Sequence, residues 1–157
     1  MIITSHSFEL FADYHQFYLQ DEQVDGDLSD SWTEQATKDL LAVAPGTIGV
    51  GTVRDMDVPV IVEVHDDEPE DDLSLWDHVT ECSIEVTSGK IVVAGCTDYF
   101  PDAARIEMLL GIYQARICYG ALGSLSDDGL EGDDNYKVAL WLGRKVEPKV
   151  IKRFDFV

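Results

Sequence analysis

Residues 58–65 read Val-Pro-Val-Ile-Val-Glu-Val-His. Valines fill every second position, while Glu63 and His65 occupy positions between or after them. Because successive side chains of a β-strand point to opposite faces of a sheet, this alternation predicts a half-buried strand. The preceding run 47–53 is also apolar, and the short polar segment 54–57 separates the two. We therefore expect residues 47–64 to form an antiparallel hairpin.

The same period of two recurs along most of the chain. The apolar parity shifts between Phe11 and Tyr14, which indicates a β-bulge or a change of sheet there. The tight turn Ser88-Gly89 predicts a second hairpin, which joins the strands on either side of it. The further segments with this alternation are 8–12, 15–19, 82–86, 90–94 and 136–142.

Residues 102–119 fit two structures. Ile106, Leu109, Leu110, Tyr113 and Ile117 share a helical face, whereas the residues from Tyr113 onward also alternate as in a strand. A glycine in the middle of a helix costs about 1 kcal/mol relative to alanine. Since Gly111 lies mid-segment, we predict two strands hinged near it.

One segment has clear helical spacing. Trp32, Ala36, Leu40 and Val43 share one face, and Pro45-Gly46 follows them, so we predict one principal helix near residues 32–43. Many short strands and a single helix predict a mostly β fold, either an antiparallel β-sandwich or a curled sheet. The whole range 1–157 has the length of one domain.

Charge is the most unusual property of the composition. The chain has 31 Asp and Glu against 11 Lys and Arg, a formal net charge of −20. Residues 1–100 hold 22 acidic and 3 basic residues, whereas residues 101–157 hold 9 and 8. This balance argues against direct binding of nucleic acid, whose phosphates need basic partners, and against an anionic membrane surface. It favours a basic protein as partner.

The cysteines predict the compartment. Cys82, Cys96 and Cys118 show no paired spacing, which is typical of free thiols in a reducing environment. The first residues lack the basic start and long apolar run of a secretion signal. We therefore expect a cytoplasmic protein.

Motifs of catalysis and metal binding do not occur in the sequence. It contains no Gly-x-Ser-x-Gly, no phosphate-binding glycine loop and no His-x-x-x-His. The aspartate-rich segments 25–27 and 127–134 do not match the spacing of an EF-hand calcium loop. The sequence thus predicts a protein that is not an enzyme, with no catalytic residues, no metal site and no cofactor.

Two blocks carry a family resemblance. Tyr14-His15-Gln16-Phe17, followed by acidic residues and then Trp32-Thr33-Glu34-Gln35-Ala36, resembles the competence protein J family. Members of that family are small acidic β proteins, and its named member inhibits a competence-associated DNA-entry nuclease. The resemblance implies a shared β fold and suggests a similar role. It assigns no inhibitory residue to this chain.

The leading hypothesis is an inhibitor or immunity-type protein that binds a basic partner, with a nuclease as first candidate. A surface of carboxylates can occupy a cationic DNA-binding cleft as phosphates do. We expect the segment 66–72, which contains no apolar residue, to be a solvated loop whose charges are dispensable for folding. The predicted contact residues are Asp21, Glu22, Asp25, Asp27, Asp66, Asp67, Glu68, Glu70, Asp71 and Asp72.

The alternative is a ligand-binding protein or an enzyme. In this hypothesis Tyr14, His15, Tyr18 and Trp32 line an aromatic pocket, and His15 is available as a base or a ligand. A deep cleft that holds His15 would favour this alternative, whereas a flat or convex acidic face would favour the inhibitor. The sequence makes no prediction of the oligomeric state.

Overall fold

The computed structural model describes residues 1–155, which form eleven strands, one α-helix and three single-turn 3-10 helices. Two longer loops, 22–33 and 121–134, connect these elements. The elements in chain order are β1 Ile2–Phe11, β2 Gln16–Asp21, α1 Glu34–Asp39, β3 Leu41–Ala44, β4 Thr47–Gly51, β5 Asp57–His65, β6 His78–Val86, β7 Lys90–Gly95, β8 Ala104–Glu107, β9 Gly111–Gly120, β10 Asn135–Leu142 and β11 Lys149–Lys152.

The strands form two sheets that pack face to face. The six-stranded sheet has the order β1-β5-β10-β9-β6-β11, and the five-stranded sheet has the order β3-β4-β2-β7-β8. Strands β5 and β10 pair in parallel, and the other pairings within residues 1–155 are antiparallel. The predicted mostly β sandwich with one helix is confirmed.

The core lies between the two sheets. The alternating valines of β5 all face inward, and Val58, Val60 and Val62 are fully buried. Phe17 of β2 meets Tyr136 of β10 edge to face across this interior, with ring centroids 5.9 Å apart. Each side chain of this size stabilises the fold by roughly 1.5–3 kcal/mol when fully buried.

Neither predicted hairpin forms. Strand β4 pairs with β2 and β3, whereas β5 pairs with β1 and β10, so residues 52–56 carry the chain from one sheet to the other. The turn Ser88-Gly89 likewise leads from β6 in the six-stranded sheet to β7 in the five-stranded sheet. A strand with one buried face has the same alternation whichever sheet it joins, which is why the pattern predicts the strand but not its partner.

Two other predictions about strands are confirmed. The chain changes sheet between Phe11 and Gln16, where the apolar parity shifts. Residues 102–119 contain two strands, β8 and β9, and β9 begins at Gly111. The φ of +145° at Gly111 is one that residues with a side chain rarely adopt, so the glycine permits the hinge.

The helix is shorter than the predicted range 32–43. The side chain of Thr33 caps α1 by accepting the N–H of Ala36 at 3.1 Å, and the helix ends at Leu40, whose φ is 60°. Residues 41–44 form β3 instead, because their backbone groups pair with β4. The apolar residues of 41–44 fit the spacing of a helix in the sequence, although their backbone is extended in the structure. None of the helices within residues 1–155 is long and apolar enough to span a membrane.

Candidate functional site

The first acidic segment, 22–32, crosses the outer face of the five-stranded sheet. Its apolar side chains Leu28 and Trp32 pack on Gly49 of β4. A Cβ at Gly49 would lie 2.8 Å from Leu28 and 2.9 Å from Trp32, closer than real contacts allow. The glycine therefore lets this segment lie flat on the sheet.

The second acidic segment, 66–72, crosses the outer face of the other sheet. Arg116 of β9 donates hydrogen bonds to the carbonyl oxygen of Pro69 at 2.8 Å and to the carboxylate of Asp71 at 3.0 Å. Lys137 of β10 donates to the same carboxylate at 2.6 Å. Since the neighbours of Arg116 in β9 face the core, its own side chain points away from it. The two acidic segments thus lie on opposite faces of the sandwich, and one flat partner surface cannot cover both.

Two of the ten predicted contact carboxylates are buried. Asp21 is fully buried and accepts backbone N–H bonds from Gln23, Thr87 and Ser88 at 2.6–3.0 Å. Burial alone would raise the pKa of Asp21, but these hydrogen bonds outweigh it and lower the pKa. The Asp71 side chain is only 8% exposed. Both carboxylates stabilise the fold and cannot reach a partner, which corrects the prediction for these two.

Four others have partners within the chain. Glu22 pairs with Arg105 at 2.8 Å, and Glu68 pairs with Arg116 at 3.1 Å. Asp66 binds the N-terminal ammonium at 2.9 Å, while Asp72 accepts the N–H of Ser74 and caps a 3-10 turn. The remaining four are exposed and form no ion pair within residues 1–155, although Asp27 and Asp67 accept backbone N–H groups from Ser29 and Glu68. They are Asp25, Asp27, Asp67 and Glu70.

Asp25 and Asp27 line a cleft of about 540 Å³ above β2. Its walls also carry the aromatic side chains of Tyr18, Trp32 and Phe100. We call this site the acidic cleft and define it by these five residues. Aromatic faces beside carboxylates are a suitable environment for a guanidinium or ammonium group, because both attract positive charge.

Cys96 also lines the acidic cleft. Burial raises the pKa of the Cys96 thiol, and the nearby Asp13 carboxylate raises it further. Burial also raises the pKa of the Tyr18 phenol, with additional contributions from Cys96 and Asp98. Cys96 is therefore a neutral thiol at physiological pH.

A second cleft, of about 760 Å³, lies on the other side of Trp32. The indole Nε1 of Trp32 donates a 3.0 Å hydrogen bond to Gln16 Oε1, and these two residues line both clefts. We call the second site the apolar cleft and define it by Tyr14, His15, Trp32, Leu40 and Leu122. The four residues of the predicted aromatic pocket are thus divided between two clefts, with Tyr18 in the acidic cleft, Tyr14 and His15 in the apolar cleft, and Trp32 in both.

The threonine hydroxyls that line the apolar cleft are hydrogen-bonded to backbone carbonyls. The hydroxyl of Thr37 donates to the carbonyl of Thr33 at 3.0 Å, and that of Thr52 donates to the carbonyl of Arg54 at 2.7 Å. The imidazole of His15 forms no hydrogen bond within residues 1–155, so no nucleophile is paired with it as a base there. Over the same range no group of three or more His, Cys, Asp or Glu side chains is placed to hold a metal.

Several residues of the two clefts were not predicted from the sequence. Phe100 comes from a 3-10 turn between β7 and β8, and Leu122 comes from the loop after β9. Asp13 and Asp98 are far apart in sequence, yet the first raises the pKa of Cys96 and the second raises the pKa of Tyr18, and both Cys96 and Tyr18 line the acidic cleft. The sequence signal that could have pointed to this loop is the aromatic pair Tyr99-Phe100 between Asp98 and Pro101, because Gly, Pro, Asn, Asp and Ser are the usual residues of turns.

No family model matches the chain, and no curated protein does either. Two solved structures share its fold. The first is ComJ, inhibitor of the DNA degrading activity of NucA, from Bacillus subtilis; it is 16% identical, the alignment covers 91% of this chain and 98% of ComJ, and the TM-score is 0.66. The second is described as crocagin biosynthetic gene J, with 13% identity, 90% and 98% coverage and a TM-score of 0.60. The resemblance noted in the sequence is therefore confirmed at the level of the fold: this chain has the ComJ-like fold.

Proposed function

We propose that the protein binds and inhibits a basic protein, with a nuclease as the leading candidate, and that the acidic cleft is its contact site. The observation that carries this proposal is the pair Asp25 and Asp27. They are exposed, free of ion pairs within residues 1–155, and placed beside three aromatic side chains. An arginine of the partner can lie on a ring face and pair with a carboxylate at the same time. Cation–π contacts of this kind contribute about 0.5–2 kcal/mol each.

The charge of the whole chain supports a partner with a cationic surface. A net charge of −20 attracts a DNA-binding cleft over distance and accelerates encounter with it. ComJ, which has the same fold, is an inhibitor of the DNA degrading activity of NucA. A basic residue of a nuclease that is held in the acidic cleft would no longer be available to the phosphates of its substrate.

A non-catalytic role agrees with the side chains of both clefts. Cys96 is held as a neutral thiol, and the hydroxyls of the apolar cleft donate to backbone carbonyls. Within residues 1–155 neither cleft pairs a nucleophile with a base. We therefore propose that the protein acts by binding alone.

The test is a DNA-degradation assay in which the protein is titrated against NucA and against nucleases encoded beside its own gene. The double variant Asp25→Asn with Asp27→Asn keeps the shape of the cleft, and the new amide oxygen at position 27 can still accept the N–H of Ser29, which now bonds Asp27 at 2.9 Å. We expect inhibition to weaken about tenfold or more, which corresponds to about 1.4 kcal/mol. The matched control, Asp67→Asn with Glu70→Gln, removes the same charge from the opposite face and should inhibit like the wild type. Equal losses in both variants, or no inhibition by the wild type, would contradict the proposal.

A second candidate function is the binding of a small molecule. A cleft that holds His15 is the feature that would favour it, and the apolar cleft has the volume of small-molecule sites, which is about 300–1,000 Å³. A thermal-shift screen of small aromatic compounds tests this candidate. A compound that binds the wild type far more tightly than a single aromatic side-chain analogue does, in the absence of any protein partner, would support it.

A further inference from the structure

Backbone strain surrounds the apolar cleft. The non-glycine residues of 1–155 with left-handed φ are Tyr14, His15, Leu40 and Ala121, at 59°, 60°, 60° and 53°. The first three line the apolar cleft, and Ala121 directly precedes Leu122, which lines it too. Left-handed φ is unfavourable for residues with a Cβ and persists where the surrounding structure enforces it; such positions cluster at binding sites and also occur at the ends of helices. Three of the four positions thus line one cavity, and the fourth is next to a lining residue in sequence. At Leu40 the left-handed φ also ends helix α1, which leaves Tyr14 and His15 as the lining positions that no helix end explains.

Tyr14 has a left-handed backbone conformation, although its side chain lies outside the core. Its backbone N–H donates to the carboxylates of Asp13 at 3.1 Å and Asp55 at 3.0 Å, while its side chain is exposed, with 69% of the residue accessible. The next peptide is also fixed, because the carbonyl oxygen of His15 accepts the N–H of Thr52 at 2.9 Å. The fold therefore holds an aromatic ring in solvent at the rim of an apolar cavity.

We propose that the apolar cleft receives an aromatic side chain of the same basic partner whose cation enters the acidic cleft. This inference rests on the proposed function and names the second anchor of that interface. Trp32 and Gln16 form the common wall of the two clefts. When one side chain of the partner binds in one cleft, residues next to it in the partner therefore lie close to the other cleft.

The charges around the apolar cleft favour a basic segment of the partner. Lys38, the cation in the lining, pairs with Glu34 at 3.4 Å, so the unpaired charges at the rim are carboxylates. Asp13 and Asp55 stand at the Tyr14 rim, and Asp25 and Asp27 stand beyond Trp32, so an aromatic group that enters between them is best flanked by basic residues. Apolar pockets with a polar rim that accept a Trp, Tyr or Arg anchor are where interfaces concentrate their binding energy.

The first experiment uses acetyl-tryptophan amide as the probe and follows the backbone amides of the protein by NMR. We expect saturable shifts at the cleft residues Leu40, Gly51 and Thr52, and little effect from acetyl-glutamate amide.

Tyr14→Gly removes the ring and relieves the strain, because glycine adopts left-handed φ freely. Its melting temperature should equal or exceed that of the wild type, while its probe affinity falls several-fold. Ala121→Gly relieves strain without removing a ring and should bind the probe normally. Tyr14→Asn, which also tolerates left-handed φ, replaces the glycine variant if that variant does not fold.

The second experiment repeats the nuclease-inhibition assay with Tyr14→Gly and Ala121→Gly. We expect the first to inhibit several-fold more weakly than the second, and we expect a bound nuclease to block the shifts caused by acetyl-tryptophan amide. Inhibition by Tyr14→Gly equal to that of the wild type, or a cleft still open to the probe in the complex, would overturn the inference and leave the proposed function standing. If the wild type inhibits no nuclease, the proposed function fails, and the titration alone decides whether the cleft takes an aromatic group. An absence of saturable shifts in the wild type overturns the inference in either case.

Discussion

The hydroxyl of Tyr119 donates a 2.6 Å hydrogen bond to the carbonyl oxygen of Leu40. Tyr119 is fully buried on β9 of the six-stranded sheet, whereas Leu40 ends α1 beside the five-stranded sheet and lines the apolar cleft. The bond therefore crosses the core and fixes one wall of the cleft from the opposite sheet. The same bond therefore contributes to the stability of the sandwich and holds one wall of the candidate site in place.

Removing this hydroxyl should weaken the fold. Tyr119→Phe deletes the bond to Leu40 and also the 3.1 Å contact between the Tyr119 hydroxyl and Thr80 Oγ1, so a buried hydroxyl loses a partner. We expect the free energy of unfolding to fall by about 1–3 kcal/mol, the usual cost of an unsatisfied buried polar group. Urea unfolding measures it. The control Tyr99→Phe changes an exposed ring and should stay within about 0.5 kcal/mol of the wild type. Identical midpoints for the two variants would show that the bond adds no stability.

The buried carboxylate of Asp21 should make stability depend on pH. Asp21→Asn leaves at most one acceptor oxygen for three backbone N–H groups, so we expect a loss of about 1–3 kcal/mol near neutral pH. Because the folded-state pKa of Asp21 lies below the ordinary aspartate value of 3.8, its contribution is present above that value and disappears as pH falls through the lower, folded-state pKa. Denaturant unfolding of both proteins at neutral and acid pH checks the sign. The difference in free energy of unfolding between the wild type and Asp21→Asn should become smaller in acid. A difference that became larger would contradict this role of Asp21.

The loop 66–72 should tolerate charge removal at some positions and not at others. The structure replaces the expectation that its charges are dispensable, because Asp71 lies between Arg116 and Lys137. Asp71→Asn should lower the free energy of unfolding by about 1.5–3 kcal/mol, the range for a hydrogen bond to a charged group. Glu70→Gln, one residue away and exposed, is the matched control and should be nearly neutral. Chemical unfolding of the two variants side by side decides the matter, and equal stabilities would refute the structural role of Asp71.

Association with a basic partner should depend on salt. Exposed charges are screened over about 8 Å at physiological ionic strength, so raising the salt should slow association more than it speeds dissociation. Neutralising Asp25 and Asp27 should slow association and reduce its salt dependence, whereas neutralising Asp67 and Glu70 should change neither by much. Surface plasmon resonance at low and high salt separates the two rate constants. An association rate indifferent to salt would mean that the acidity of the chain serves another purpose.

The sequence predicts individual strands better than it predicts their neighbours. The valines of 58–64 show that this segment has one buried face, but the partner strands β1 and β10 lie far from it in sequence. The same limit applies to the helix. Leu40 fits a helical face, and only its left-handed φ and the pairing of 41–44 with β4 end the helix there.

Only part of the candidate site could be predicted from the sequence. Tyr14, His15, Tyr18 and Trp32 were predicted to line a pocket because they are aromatic residues close in sequence, and the structure places all four in the two clefts. Charge alone could not separate Asp21 from Asp25, since burial depends on which backbone groups a carboxylate meets after folding. Phe100 and Leu122 come from loops whose positions depend on the pairing of distant strands.

The passage of the chain between sheets at Ser88-Gly89 and at 52–56 has a consequence for biosynthesis. Of the nine strand pairings within residues 1–155, six join strands that are not consecutive in sequence. A ribosome delivers the N-terminal strands first, so one edge of β5 stays open until residues 135–142 emerge. An open, valine-rich edge is a template for pairing with other chains. A nascent chain of this protein should therefore be most prone to aggregate after β5 has left the ribosome and before β10 has, which makes that interval the one in which a chaperone would matter most.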